Sequence, residues 1–284
     1  GLVDEPNNSE LYSAVAGVER RQGQEEQALA NYKKAASLDP MSHLKTLDIA
    51  LTLGMMRRYD SAAFYANKAT VLAPDFALAY VYQAWLPILA DGDTHKAKGI
   101  LFKALRITDL SGLESYWWLL RMIETRGLQT VLTARTDTVA YYLYYAQNAR
   151  LTGDTARERF YADSARIILL KKILQNQNDA ASHNSLGLAY AGLRSQKLAL
   201  AHSQKALELL SVSGDSFEAP FWLLDMAEVL IVFGQYDGAI KQLETVMSLP
   251  GFASASYLSA DPVFGPLRNL PAFKALVKKY ETGA

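Results

Sequence analysis

The chain has 284 residues, half of them apolar, with 29 Lys plus Arg against 29 Asp plus Glu and a formal net charge of zero. That balance lacks the basic surplus with which nucleic-acid binders neutralise phosphates, and no block of like charge forms a basic or acidic tail. The absence of cysteine excludes a disulfide framework, a thiolate metal site and a cysteine nucleophile. No apolar run approaches the roughly 20 residues that span a bilayer, so no membrane insertion by this segment is expected. The most apolar stretch, 223–233, is interrupted by Asp225 and Glu228. The N-terminus, GLVDEPNNSE, has neither the basic start nor the apolar middle of a signal peptide. It also lacks an initiator Met, which points to a fragment or processed product of a longer chain. None of this identifies the compartment; the cytoplasm is slightly favoured, with the periplasm as the alternative if a parent chain carries an upstream membrane anchor.

In chain order, the first regular feature is a repeat. QALANYKKAASLDP (27–40) and SAAFYANKATVLAPD (61–75) share small residues at matching places and close on Leu-x-Pro. Pro40 and Pro74, Ala28 and Ala62, and Ala35 and Ala69 are each 34 residues apart. This period resembles the tetratricopeptide repeat, a helix–turn–helix hairpin that must stack on its neighbours to bury its apolar face. The resemblance continues through Ala97 and Ala104, Leu186-Gly187 with Tyr190, Ala199 and Ala206, and Tyr236 with Ala239. Helices approach closest where side chains are smallest. Ala28, Ala62, Ala97, Ala199 and Ala239 therefore belong at the crossing, against Ala16, Ala50, Ala84, Gly187 and Ala227. Tyr12, Ile49, Tyr80, Leu186 and Tyr190 fill the space around it.

The hairpin turns give a ruler: Gly23, Arg57, Gly92, Gly127, Gly153, Arg194 and Gly234, spaced 34, 35, 35, 26, 41 and 40 residues apart. The first repeats are regular. The fourth hairpin, 114–135, is expected to lose about two turns of its second helix. Residues 160–175 read as one long helix, and 209–220 as an extended helix end plus loop. The predicted fold is an all-α, right-handed α-α superhelical solenoid of about six hairpins over 1–250, irregular at 110–140. A C-terminal cap over 251–284 follows, ending in an amphipathic helix with Phe273, Leu276 and Val277 inward and Lys274, Lys278 and Lys279 outward. Tyr141, Tyr142, Tyr144 and Tyr145 crowd the first helix of the fifth hairpin. The register puts Tyr142 and Tyr145 inward, Tyr141 towards the preceding hairpin, and Leu143 and Tyr144 nearer the concave side. Packing is the expected role of two or three of these tyrosines, in preference to a ligand box.

A narrower resemblance lies in the order Asp-Pro-x-Phe-x-Pro-Leu-Arg-x-x-Pro-x-Phe-x-x-Leu, Asp261 to Leu276. It is similar to the ending of a bacterial repeat region that follows an adenylate cyclase, protein kinase or winged-helix domain on one chain. Segments 18–40 and 58–80 are similar to the same group. The resemblance implies a regulatory or scaffolding segment of a signalling protein.

No enzyme is expected. His43, His95, His183 and His202 are far apart, and no His-Glu-x-x-His motif, Gly-x-Ser-x-Gly elbow, phosphate-binding loop or dinucleotide fingerprint occurs. No cofactor, metal or catalytic residue is assigned. His183 and His202 fall on the two helices of one hairpin, where packing or exposure is the expectation. The carboxylate clamp by which some tetratricopeptide grooves hold peptide C-termini would fall on Ser13 and Gly17, Asp48, and Leu78 and Tyr82, residue types that do not supply it. The concave positions instead carry Leu44, Leu47, Leu51, Leu78, Val81, Trp85, Ile88, Trp118 and Met122. An exposed apolar patch of that kind marks an interaction surface; the competing expectation is that a tight superhelical turn or the C-terminal segment covers it. The predicted function is a non-catalytic protein-interaction or scaffold module, binding an apolar peptide or helix from another protein or from its parent chain. The alternative is a small-molecule-sensing domain that controls an attached output domain.

Overall fold

The computed structural model describes residues 5–123 and 138–281. Three hairpins come first: α1 (Ser9–Arg21) with α2 (Glu25–Leu38), α3 (His43–Met55) with α4 (Tyr59–Leu72), and α5 (Ala77–Asp91) with α6 (Thr94–Ala104). α7 (Glu114–Ile123) opens the fourth; its expected turn at Gly127 and its shortened second helix lie outside the described residues. Three further hairpins pair α8 (Val139–Leu151) with α9 (Thr155–Gln175), α10 (Ala180–Gly192) with α11 (Gln196–Ser213), and α12 (Ala219–Val232) with α13 (Tyr236–Ser248). α14 (Ala255–Ala260), a 3-10 helix (Pro262–Leu267) and α15 (Pro271–Glu281) complete the chain. No strand occurs among the described residues.

Local chemistry starts and stops these helices. The side chains of Asn8, Ser42, Asp93, Asp154 and Asp179 each accept the backbone N–H three residues on, at 2.8–3.3 Å, which satisfies one of the orphan donors of a first turn. Every described member of the turn ruler is left-handed: Gly23, Gly92, Gly153 and Gly234 at φ 71–79°, Arg57 at 56° and Arg194 at 59°. Glycine takes this conformation freely, whereas an arginine pays a steric cost there. Both arginines are therefore held by something beyond their own turn.

The crossings are as tight as the small residues imply. Ala16, Ala28, Ala50, Ala62, Ala84, Ala97, Ala199, Ala227 and Ala239 have no exposed surface. At the α10–α11 crossing, a Cβ on Gly187 would lie 2.0 Å from Ser203 Oγ and 3.3 Å from its backbone N. The α9 range confirms a long helix, and α11 ends at Gly214 in the left-handed region, φ 65°.

The tyrosines of α8 pack around Trp117, whose ring centroid is 5.3, 5.5 and 6.4 Å from those of Tyr141, Tyr144 and Tyr145. Tyr161 of α9 closes the group 5.1 Å from Tyr145. Leu143 departs from its expected place: it is buried with Ala165, Leu169 and Leu186 between hairpins, not on the concave side.

The superhelix closes on itself. The backbone N–H of Ser216, in the loop before α12, donates to Arg21 O at 2.8 Å, and Gly251 N donates to Met55 O at 3.1 Å. Arg21 pairs with Asp215, and the Arg20 guanidinium lies 4.9 Å from the Phe217 ring centre. Phe273 and Leu276 of α15 are buried in the core that also holds Leu243 and Val246 of α13, and Lys274, Lys278 and Lys279 are exposed.

Gly187→Ala is expected to destabilise the fold by about 1–3 kcal/mol through overpacking, and Ser203→Gly in the same chain is expected to recover part of the loss. Urea unfolding measures both; a Gly187→Ala protein as stable as the parent would mean that the crossing is looser than these distances.

Candidate functional site

Residues 247–257 of the chain pack against the C-terminal halves of α3 and α5 and the α3–α4 turn between them. At the end of α13 the last carbonyls have no intrahelical partner, and Arg57 reaches them from the α3–α4 turn. Its guanidinium donates to Met247 O, Leu249 O and Ala253 O, each at 3.2 Å. A cation at a helix C-terminus also suits the helix dipole. The last turn of α5 has the same need, and serines meet it: Ser254 Oγ donates to Leu89 O at 2.6 Å and Ser256 Oγ to Ala90 O at 3.0 Å.

Between these polar grips sits an aromatic one. The Phe252 ring lies 5.9 Å from Tyr82, 6.2 Å from Phe217 and 5.6 Å from Phe221. Gly54 makes room for the first of these, since a Cβ there would meet Tyr82 Oη at 1.8 Å and the Phe252 ring at 3.3 Å. Tyr82 donates to Ala50 O at 3.0 Å, and burial pushes its phenol well above the ordinary range. Further along, Trp85 is 6.2 Å from Tyr257 and donates its indole N–H to Ser115 O at 3.2 Å.

The nine expected groove residues separate accordingly. Leu44 is exposed, while Leu51, Leu78, Trp85 and Trp118 are half-buried. Leu47, Val81, Ile88 and Met122 are buried, and at these four the expected accessibility is corrected. Leu47 lies in the core shared by the first three hairpins, with Leu51 and Leu78 packed beside it. Val81, Ile88 and Met122 share a cluster with Tyr257, Leu258 and Phe264, and Trp85 packs against it. Trp118 lies elsewhere, against the α8–α10 core. The apolar stripe is thus divided among packing between hairpins, the C-terminal segment and one exposed edge.

A buried ionic network lies beneath this face. Arg121 of α7 donates to Asp261 at 2.7 Å, Glu228 at 3.1 Å and Gln147 at 3.2 Å, with its guanidinium 4.7 Å from the Trp118 ring centre. Gln147 donates on to Glu228 at 2.8 Å, Arg150 also pairs with Glu228, and Arg194 donates to Glu158 at 3.0 Å. Burial works against the charge on Arg121, but Asp261 and Glu228 outweigh it and its pKa rises. Tyr257 donates to Asp261 at 3.0 Å; burial, and then that carboxylate, push the phenol well above its usual range. The network joins α7, α8, α12 and the C-terminal segment. Its one trace in the sequence is the pair of acids interrupting 223–233, of which Asp225 accepts from Asn184 at 2.6 Å.

His183 and His202 do meet. Their Nδ1 atoms are 2.8 Å apart, His183 Nε2 is 3.0 Å from Gln177 O, and the His202 ring stacks on Tyr190 with centroids 5.3 Å apart. The arrangement is satisfied when His183 donates from Nε2 and accepts at Nδ1 from His202. Among the described residues, no group of three or more His, Asp or Glu is placed to hold a metal ion, and no helix is long and apolar enough to cross a membrane.

No family model matches the chain, and a search of curated proteins returns no relative. Among solved structures, the chain is similar to the Cut9–Hcn1 hetero-tetramer of the APC/C at 17% identity and TM-score 0.48, over 98% of this chain and 44% of that one. It therefore spans less than half of that relative's length. The C-terminal part of a tetratricopeptide-repeat protein from Cytophaga hutchinsonii is 12% identical with TM-score 0.39, over 93% and 98% of the two chains. The TPR2AB domain of yeast Sti1, solved in complex with pHSP90, is 17% identical with TM-score 0.28, over 96% and 98%. Likeness this distant carries no function across. The class rests on the hairpins themselves: a 34-residue period in the early repeats, fully buried alanines at the crossings and left-handed turn residues define an all-α solenoid of the tetratricopeptide type.

Burial, and then His183, lower the pKa of His202 below its ordinary value, near 6.5 for free imidazole. The fold therefore favours the neutral ring, and below that value the unfolded chain takes up a proton that the folded chain resists. The stability contributed here is complete above about pH 6.5 and is lost as the pH falls. His202→Phe keeps a ring on Tyr190 and removes the titration. Urea midpoints at neutral and mildly acidic pH are expected to diverge less for the variant than for the parent; an unchanged pH slope would contradict this.

Proposed function

We propose that this chain is a non-catalytic interaction scaffold whose concave face grips a short apolar linker and its flanking helix ends, and that residues 249–254, between the end of α13 and the start of α14, occupy that place in cis. The carrying observation is the manner of the grip. Arg57 reads three main-chain carbonyls, which any sequence supplies, while Tyr82, Phe217 and Phe221 accept one large side chain. Main-chain hydrogen bonds for affinity and a side-chain pocket for selectivity are the general means of recognising an extended peptide. Trp85 lies beside the segment, 6.2 Å from Tyr257, while Leu51 and Leu78 pack into the core between hairpins and Leu44 is exposed. A partner, whether another protein or another part of a parent chain, competes with the cis segment for this surface. The resemblance of Asp261 to Leu276 to the repeat regions of bacterial signalling proteins supports placing the module in the regulatory part of such a protein.

The test uses the full chain and a labelled synthetic peptide of residues 247–258. Phe252→Asp loosens the cis segment and leaves Arg57 in place. Fluorescence anisotropy is expected to show at least a tenfold gain in peptide affinity for this variant over the parent, about 1.4 kcal/mol. Adding Arg57→Ala is expected to return the affinity to the parent level. A folded Phe252→Asp protein with no gain in binding would overturn the proposal.

A further inference from the structure

α9 is the longest helix of the array, 21 residues against 13 in its partner α8. Its core face is Glu158, Ala162, Ala165 and Leu169, all buried. The opposite pole of such a helix ordinarily carries polar residues. In α9 it carries Phe160, Ile167 and Leu174, exposed to 65, 45 and 82%. Positions seven apart lie within about 20° of each other on a helix, so the three form one stripe turned away from the core. Single exposed apolar residues need no explanation, but an aligned set on one face does.

The residues between them identify the occupant. An antiparallel copy of α9 placed about a twofold axis at Ile167 sets Ile167 on Ile167 and Phe160 on Leu174, since 160 and 174 are equidistant from 167. The same operation sets Asp163, four residues before the axis, against Lys171, four residues after it. Apolar groups meet apolar groups and the acid meets the base, twice, as a self-complementary twofold interface requires. A parallel pairing would instead oppose Asp163 to Asp163 and Lys171 to Lys171. Asp163 holds Arg166 of its own helix at 2.7 Å, and an ionised carboxylate has capacity for a second donor.

A similar pole exists on α4, where Phe64 and Val71 are exposed to 67 and 70%. An antiparallel pairing of α4 with itself opposes Asn67 to Lys68 and provides no acid–base match. A contact of α4 with α9 would be heterologous and would build rings or open filaments instead of a closed dimer.

We infer that the outer face of α9 is a self-association surface, on which two copies of this chain pack antiparallel about Ile167. A contact between two single helix faces is small beside the roughly 1,200–2,000 Å² that stable interfaces bury in total, so the dimer is reversible.

Sedimentation equilibrium of the full chain over a concentration series is expected to show a monomer–dimer equilibrium. Ile167→Glu is expected to weaken it at least tenfold with circular dichroism and melting unchanged, and Leu174→Glu serves as a second variant of the same stripe. Asp163→Lys and Lys171→Asp are each expected to weaken the dimer, and the double exchange to restore it, which only the antiparallel register explains. A chain that stays monomeric up to its solubility limit would overturn the inference, as would a dimer indifferent to both stripe variants. Assemblies that grow beyond the dimer and disappear with Phe64→Glu would overturn it in favour of the α4–α9 contact.

Discussion

Arg57 sits where glycine stands in most of the other hairpin turns. It holds a left-handed backbone, φ 56°, at a cost of order 1–2 kcal/mol, and its guanidinium lies on three carbonyls nearly 200 residues further along the chain. Those carbonyls end α13 and begin the segment that lies against the C-terminal halves of α3 and α5. Removing the guanidinium would leave them without partners on a face packed against Met55 and Phe252. Closure rests on this contact together with the buried cluster that joins α5 to Tyr257, Leu258 and Phe264, since the second seam, from Arg21 to Asp215 and Ser216, is half-exposed and screened by salt. Arg194, the other left-handed arginine, repeats the device within the array by holding Glu158.

The buried charges have the same logic at the other end of the segment. Arg121 with Asp261 and Glu228 adds little net stability relative to apolar packing, because desolvation consumes most of the attraction. It does fix one arrangement. Asp261 has no exposed surface, so a shift of the C-terminal segment would strand a carboxylate and a guanidinium away from water. Arg57 therefore holds the segment through its backbone, and Arg121 fixes where its far end lies.

Most of the hairpin architecture was legible in the residues. The alanines at the crossings, six turn positions including both arginines, the long α9 and the inward face of α15 follow from a period of 34 and from small residues at fixed offsets. The state of the groove did not follow. Leu47, Val81, Trp85 and Ile88 make the same helical pattern whether water or a distant segment covers them, and the cover depends on curvature accumulated over several repeats. Arg57 could be recognised as a turn residue but not as a clamp, because its partners are backbone carbonyls and leave no mark in the sequence. Glu228 was visible as an interruption in an apolar run; Arg121, its partner, is 107 residues away, and Asp261, the other carboxylate on that arginine, is 33 away. The stripe on α9 leaves no amphipathic signal in the sequence, because two opposed apolar faces cancel it.

The second hairpin and the end of α13 are joined across the closed superhelix by Arg57. The chain has no cysteine, so Asp60→Cys and Ser248→Cys, both at exposed positions, accept spin labels at two chosen points only. Double electron–electron resonance on this variant is expected to give one narrow, short-distance peak, which broadens and moves to longer distance when Arg57→Ala is added. A broad distribution at long distance in the parent background, unchanged by Arg57→Ala, would show an open solenoid and contradict the closure on which the groove, its cis occupant and the proposed competition rest.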